Sequence, residues 1–229
     1  PVPEEAKAIA DGLTAIAEKG IKVIAVTDDA YFSLFYEDSI TESVYGRLTA
    51  RSKNLLPIKL DGATKEEFVW GFRVGFITFG STGSEKEAPM FAALEKKVTG
   101  LIRGTISNCP HPSQTLVLKS LEHPDFESQR RQKFEILKAR AIKFKEILKR
   151  GEFTDQFTYY PFNSGYFMCL KLNKLDAEEL RVYLLDKYGI GTISAGKFDL
   201  RIAFSCVEVE DSEELFQLIY KACKELSAK

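Results

Sequence analysis

An α/β fold with a mainly parallel sheet, followed by a small C-terminal α+β domain, is what this sequence predicts, and three observations predict it. Residues 21–27 form a β-branched apolar run of the kind carried by parallel strands buried on both faces. Strand-like and helix-period segments then alternate through the first half of the chain. Beyond the turn-rich junction Asn108-Cys109-Pro110-His111-Pro112-Ser113 the alternation resumes in shorter pieces, so the expected domains are 1–110 and 111–229.

Taken in order, residues 3–19 read as a helix with Ile9, Leu13 and Ile16 on its apolar face and Gly20 as its stop. A strand at 21–27 ends in Asp28, Asp29 and Tyr31, and the carboxyl ends of parallel strands are where open α/β sheets bind ligands. A short polar helix at 40–51 and a strand at 55–60 lead to a second polar turn, then to a strand over 71–79. Residues 88–102 are expected to form a helix with Phe91, Leu94, Val98 and Leu101 on one face.

After the junction, 125–150 reads as a long helix whose Phe134, Leu137, Ala141, Phe144 and Leu148 recur at three- and four-residue steps. Its other faces are basic, with nine Lys or Arg against two Glu over 130–150, but no aromatics punctuate them, so a solvated face is expected rather than nucleic-acid contact. An apolar segment at 165–172, a helix at 177–188, strands near 190–194 and 200–205 and a helix at 212–227 complete the chain. Both of these helices carry capping-box sequences, Asp176 with Glu179 and Asp211 with Glu214.

Composition narrows the function classes. With 229 residues, 45% of them hydrophobic, the chain can bury a sizeable core, and its net charge of −1 supplies no long-range attraction to nucleic acid or to anionic membrane. No apolar run approaches the roughly 20 residues of a membrane span, and no basic-then-apolar leader opens the chain, so a cytoplasmic protein is expected. Cys109, Cys169, Cys206 and Cys223 are scattered, which suits reduced, mostly buried thiols better than a zinc site. With His111 and His123 the only histidines, neither a histidine metal centre nor a Ser-His-Asp triad is expected.

The chemistry concentrates in residues 61–75, Asp61-Gly62-Ala63-Thr64-Lys65-Glu66-Glu67-Phe68-Val69-Trp70-Gly71-Phe72-Arg73-Val74-Gly75. A lysine amine can bond a carbonyl carbon, and a guanidinium can hold a phosphate through two parallel hydrogen bonds. Lys65 and Arg73, eight positions apart, could therefore tether both ends of a phosphorylated aldehyde. The same two residue types also occur as ordinary solvated surface pairs, and the rest of the chain decides between the readings.

Four motifs agree in sequence order: Asp28-x-x-Tyr31, Thr64-Lys65, Gly71-x-Arg73-x-Gly75 and Leu200-Arg201-Ile202. Their order and gaps resemble the fold type I pyridoxal-phosphate enzymes of the aspartate aminotransferase family (class I/II), from Pro1 to the C-terminus. The resemblance implies that Lys65 bonds pyridoxal 5′-phosphate and shuttles the substrate Cα proton, that Asp28 pairs with the ring nitrogen and that Tyr31 contacts the phenolic oxygen. It implies further that Arg73, with Thr64, holds the phosphate and that Arg201 clamps the substrate α-carboxylate. Arg103, in Ile102-Arg103-Gly104-Thr105-Ile106-Ser107-Asn108, lines up with an arginine that reaches the partner subunit's site in dicarboxylate-specific members. Amino-acid and 2-oxo-acid substrates and a homodimer are the partners implied.

Two departures accompany the match. Gly62 stands where the family has a phosphate-contacting serine three residues before the lysine. The family's Asn-Pro-x-Gly motif, ring-stacking aromatic and glycine-rich loop have no counterpart here, so the chain looks like the C-terminal part of a longer enzyme and is expected to be inactive alone. Because the shared motifs supply the electron sink and leave open which Cα bond breaks, a lyase or decarboxylase of the same fold is an alternative. A second is a regulator whose aminotransferase-like domain senses pyridoxal phosphate beside a DNA-binding module.

Overall fold

The computed structural model describes residues 1–228. The chain forms two compact units, Pro1–Arg130 and Arg131–Lys229, divided within the first turns of a long helix.

In the first unit, helix α1 (Pro3–Glu18) precedes strand β1 (Val23–Asp28), the short helix α2 (Val44–Leu48) and strand β2 (Leu55–Gly62). A one-turn helix, α3 (Ala63–Glu66), follows β2 directly, and β3 (Gly75–Phe79), α4 (Glu87–Thr105) and α5 (His111–Leu121) complete the unit. Strands β1 and β2 pair in parallel, with Val23 opposite Leu55 and Asp28 opposite Leu60. Strand β3 is antiparallel to β2, with Asp61 opposite Phe76 and Gly62 opposite Gly75.

Helix α1 buries Ala6, Ala10, Thr14 and Ala17 while Ile9 and Ile16 stay exposed, so the expected isoleucine face is corrected to an alanine face. Small side chains let the helix backbone approach the sheet closely, and Ala10, Ala17, Ala25, Leu48 and Leu55 form one cluster with Leu13, Val23 and Val44 around it. The expectation that the first strand is buried on both faces also changes: Ala25 is buried, but Ile24 is 67% and Val26 57% exposed. Val74 and Val117 pack with Ala63, so helix α5, which the junction's prolines masked in the sequence, supports the turn after β2.

The strand expected over 71–79 begins only at Gly75. Phe72 donates its amide to the Val69 carbonyl in a turn, and Arg73 lies in the left-handed region at φ 54°. A non-glycine residue held there costs of order 1 kcal/mol and persists only where its surroundings enforce it. Helix α4 buries none of its residues, and Leu101, on the face expected to be apolar, is 65% exposed.

In the second unit, helix α6 (Phe126–Lys149), strands β4 (Phe157–Tyr159) and β5 (Met168–Leu172), helix α7 (Ala177–Tyr188), strands β6 (Ile193–Ser194) and β7 (Asp199–Ile202) and helix α8 (Ser212–Ser227) follow in order. The sheet order is β4-β5-β7-β6, all antiparallel. Leu137, Ala141, Phe144 and Leu148 of α6 are buried as their spacing predicts. Phe144 meets Phe216 at 4.9 Å and Phe204 at 6.1 Å between ring centroids, and all three rings are fully buried.

Arg131, Lys133 and Lys149 of α6 are exposed, as a solvated face requires, while other basic residues on the helix and just after it are engaged within the protein. Arg140 donates to the Ser205 carbonyl and to Glu208, Arg150 pairs with Glu213 at 2.8 Å, and the Lys145 amine lies 5.0 Å from the Phe162 ring centre.

Asp176 caps α7 by accepting from the amides of Glu178 and Glu179, whereas Asp211 makes no side-chain cap at α8. Its backbone is already helical (φ −86°, ψ −9°), which corrects the second expected capping box. Asp176→Ala is expected to cost about 1 kcal/mol of stability, read from a urea midpoint, and Asp211→Ala much less.

The four cysteines are unpaired; only Cys223 is buried, where desolvation pushes its thiol up to about 12, and Cys206 is exposed. Among the described residues no cluster of His, Cys, Asp and Glu could hold a metal ion, and no helix is long and apolar enough to cross a membrane.

Candidate active site

A cavity of about 330 Å³ opens at the carboxyl ends of β1 and β2, where parallel strands present their last residues to a ligand. Its wall includes Asp28, Tyr31, Thr64, Lys65 and Arg73, five residues singled out from the sequence, together with Asp61 and Gly62.

Each is placed by short-range structure. Asp28 is the last residue of β1, and its Oδ1 accepts from the Ala30 amide at 3.1 Å, a turn that orients the carboxylate. Tyr31 follows in that turn, with its carbonyl accepting from the Leu34 amide. Thr64 and Lys65 ride on α3, one turn of helix that begins where β2 ends, so the strand delivers the lysine without a flexible linker. The Lys65 amine lies 5.8 Å from the Tyr31 ring centre. Arg73 enters from the left-handed residue just before β3, its guanidinium donating to the Trp70 carbonyl at 3.3 Å.

Gly62 answers the missing serine. A Cβ at this position would sit 3.2 Å from the Val74 carbonyl oxygen, because β2 and β3 are directly paired there. A side chain there would press on that carbonyl, and Thr64 is the aliphatic hydroxyl residue on the cavity wall.

Around this wall lie charges that the sequence reading passed over. Arg130 donates to Ser33 Oγ at 2.7 Å and to the Glu66 carbonyl at 3.5 Å, and pairs with Glu67 at 3.2 Å, so one guanidinium grips both the Tyr31 turn and the Lys65 turn. Burial raises the carboxyl pKa of Glu67 despite Arg130, and burial with the neighbouring charges of Glu67 and Asp61 raises that of Glu66. Lys59 reaches Asp61 Oδ1 at 2.5 Å and Asp29 Oδ2 at 3.6 Å. The signal for this last group was present in the sequence: Lys59 and Asp61 are two apart on a strand and therefore share a face.

Arg201 and Arg103 are not among the residues that line this cavity. Arg201 is on β7 in the second unit, paired across the sheet with Cys169 and Ile193, its guanidinium 4.9 Å from the Phe167 ring centre. Arg103 is in the last turn of α4 and donates to Ser107 Oγ at 2.7 Å.

The donor set suits a phosphorylated pyridine aldehyde. One amine, one guanidinium, one aliphatic hydroxyl, one phenol and the Asp28 carboxylate converge on a single cavity, which is what the aldehyde, phosphate, ring nitrogen and phenolic oxygen of pyridoxal phosphate require, and a second carboxylate, Asp61, shares the wall.

Comparison with known proteins agrees with this chemistry. The model of the family described as aminotransferase class I and II matches residues 7–219. No curated protein matches the chain significantly. Among solved structures, the α-aminoadipate aminotransferase of Thermus thermophilus, complexed with N-(5′-phosphopyridoxyl)-L-leucine, is similar over 97% of this chain and 54% of its own, with 23% identity and a TM-score of 0.74. The aromatic aminotransferase of Pyrococcus horikoshii is similar over 99% and 57%, with 15% identity and a TM-score of 0.72. The alanine aminotransferase of Pyrococcus furiosus is similar over 97% and 53%, with 21% identity and a TM-score of 0.68. The chain thus spans about half the length of the solved structures it matches. With the family model covering nearly the whole chain, it belongs to the class I and II aminotransferases, of fold type I.

Proposed function

We propose that the protein carrying this chain transfers an amino group between an amino acid and a 2-oxo acid, with pyridoxal phosphate held in the cavity at the ends of β1 and β2. The observation that carries the reading is the convergence of Asp28, Tyr31, Thr64, Lys65 and Arg73 on that cavity in a class I and II aminotransferase chain. Pyridoxal phosphate, when bound, supplies a ring that accepts the electron pair left behind when the substrate Cα proton departs.

In this reading the residues divide the work by their chemistry. Lys65 would hold the cofactor's aldehyde carbon through its amine, with water as the leaving group, and once the substrate's own amine displaced it, the freed lysine amine would carry the proton from the substrate Cα. Asp28 holds a proton on the ring nitrogen, since an anion beside a base favours its charged form. Tyr31 donates to the phenolic oxygen, while Arg73 and Thr64 hold the phosphate. Arg201 grips the substrate α-carboxylate, its planar guanidinium lying against Phe167. Arg103 is assigned to a side-chain carboxylate in the partner subunit's site, which makes a homodimer part of the proposal, together with a cytoplasmic setting. Residues 1–110 are assigned to the cofactor domain and 111–229 to the interdomain helix and small domain.

A lyase or decarboxylase, and a cofactor-sensing regulator, would share the electron sink, but the family membership favours transamination over both. The full-length protein is mixed with pyridoxal phosphate, aspartate or glutamate and 2-oxoglutarate or oxaloacetate. The expected result is a new amino acid and a new 2-oxo acid in equal amounts. Ammonia or carbon dioxide released from a single amino acid, with no 2-oxo acid needed, would overturn it.

A further inference from the structure

The cavity wall carries a carboxylate that a phosphate site would not be expected to tolerate. Asp61 lines the same cavity as Arg73 and Thr64, only a few residues before Lys65. A second carboxylate, Asp29, is buried beside Asp28, with 7% of its surface exposed and its Oδ2 accepting no hydrogen bond. Asp29, moreover, sits at a position tied to β2 by its amide, which donates to the Leu60 carbonyl. The two acids share one cation: the Lys59 amine, 2.5 Å from Asp61 Oδ1, 3.6 Å from Asp29 Oδ2 and 5.9 Å from the Phe32 ring centre.

We propose that Lys59 is a positioning residue for the cofactor's phosphate: it holds Asp61 by a short ion pair and cancels its charge, so that Arg73 and Thr64 can bind a dianion on the same wall. The proposal rests on the reading of the cavity as a pyridoxal-phosphate site. It follows from Coulomb's law at close range, where an uncompensated carboxylate in a partly buried cavity repels a phosphate by enough to weaken binding by one to two orders of magnitude. Burial opposes the charged form of Lys59, yet its pKa is raised above the ordinary lysine value by the hydrogen bond and charge of Asp61 and by the charge of Asp29. Those pairings hold the amine in its charged form. The arrangement also accounts for an acid in this position: where Gly62 offers no hydroxyl, the Asp61–Lys59 pair stiffens the end of β2 that delivers Thr64 and Lys65.

The test uses equilibrium dialysis of the full-length protein with pyridoxal phosphate and, separately, with pyridoxal, which lacks the phosphate. Lys59→Met is expected to raise the Kd for pyridoxal phosphate at least about tenfold and to leave that for pyridoxal within about twofold. Lys59→Arg, which keeps the cation, is expected to stay near the unmodified protein. The deciding variant is Lys59→Met with Asp61→Asn. If Lys59 acts by cancelling Asp61, removing both charges restores the phosphate affinity; if Lys59 only supports the fold through buried Asp29, the double variant stays as weak as Lys59→Met, and the proposal fails. Equal weakening of pyridoxal and pyridoxal phosphate overturns it as well. An unmodified protein that binds neither compound sinks the functional reading, and this proposal with it, whereas tight binding of pyridoxal phosphate that Lys59→Met does not change sinks this proposal alone.

Discussion

Lys65→Ala in the full-length protein is expected to lower amino-group transfer by at least about a thousandfold, because under the proposed function it removes both the nucleophile and the proton carrier in one change. The two roles are not additive, so the loss is that of the whole unit rather than a sum of parts. The fold should survive. Lys65 sits on a one-turn helix whose packing is carried by Ala63 with Val74 and Val117, not by the lysine side chain. Stopped assays of product formation, with a urea unfolding curve as the control, check it: a variant that keeps more than about a tenth of the activity would remove Lys65 from the chemistry. Added methylamine or ethylamine should recover part of the rate, since a free amine can carry the proton while lacking the positioning.

Under the proposed function Asp28→Asn is expected to lower kcat by about ten- to a thousandfold, the range set by losing a pairing charge that would shift a neighbouring base's pKa by roughly 1–3 units. Asparagine is the informative substitute. The Asp28 Oδ1 that accepts from the Ala30 amide at 3.1 Å is matched by an amide oxygen, so the turn that seats Tyr31 is preserved and the charge alone is lost. A steady-state kinetic comparison of Asp28→Asn with Asp28→Ala separates the two contributions. Should Asp28→Asn match the unmodified enzyme while Asp28→Ala is inactive, the carboxylate's role is turn geometry and not electronics.

Much of this site was legible before any coordinates. A β-branched run ending in Asp28 and Tyr31 marks a parallel strand opening toward a ligand, and a lysine in a small-residue turn after the next strand marks where a covalent bond can form. Periodicity also located the core of α6, because Leu137, Ala141, Phe144 and Leu148 recur at the pitch of a helix. What the pattern missed depends on neighbours distant in sequence. The alternation over 71–79 has the period of a strand, but pairing with β2 begins only at Gly75, and Arg73 is held left-handed instead. Ile9 and Ile16 outrank alanine on any hydrophobic scale, yet alanines face the sheet because close approach of α1 rewards small volume. Gly62 looked like a lost contact, yet a Cβ there would stand 3.2 Å from the carbonyl oxygen of Val74, the residue just before the paired strand, a closeness set by chain distant in sequence. Asp211 has the right neighbours for a capping box and the wrong backbone, a distinction that no composition encodes.

The grip of Arg130 on Ser33, the Glu66 carbonyl and Glu67 bears on how this part of the protein opens. One side chain closes two turns, so neither can unlatch without releasing the other, and amide hydrogens of residues 30–34 and 66–68 should exchange with solvent deuterium as a single cooperative unit. Arg130→Met should raise both exchange rates together, in step, while leaving the amides of α8 unchanged. The lysine and the phenol that share the cavity are, on this account, kept in mutual register by a residue that grips the two turns on which they sit.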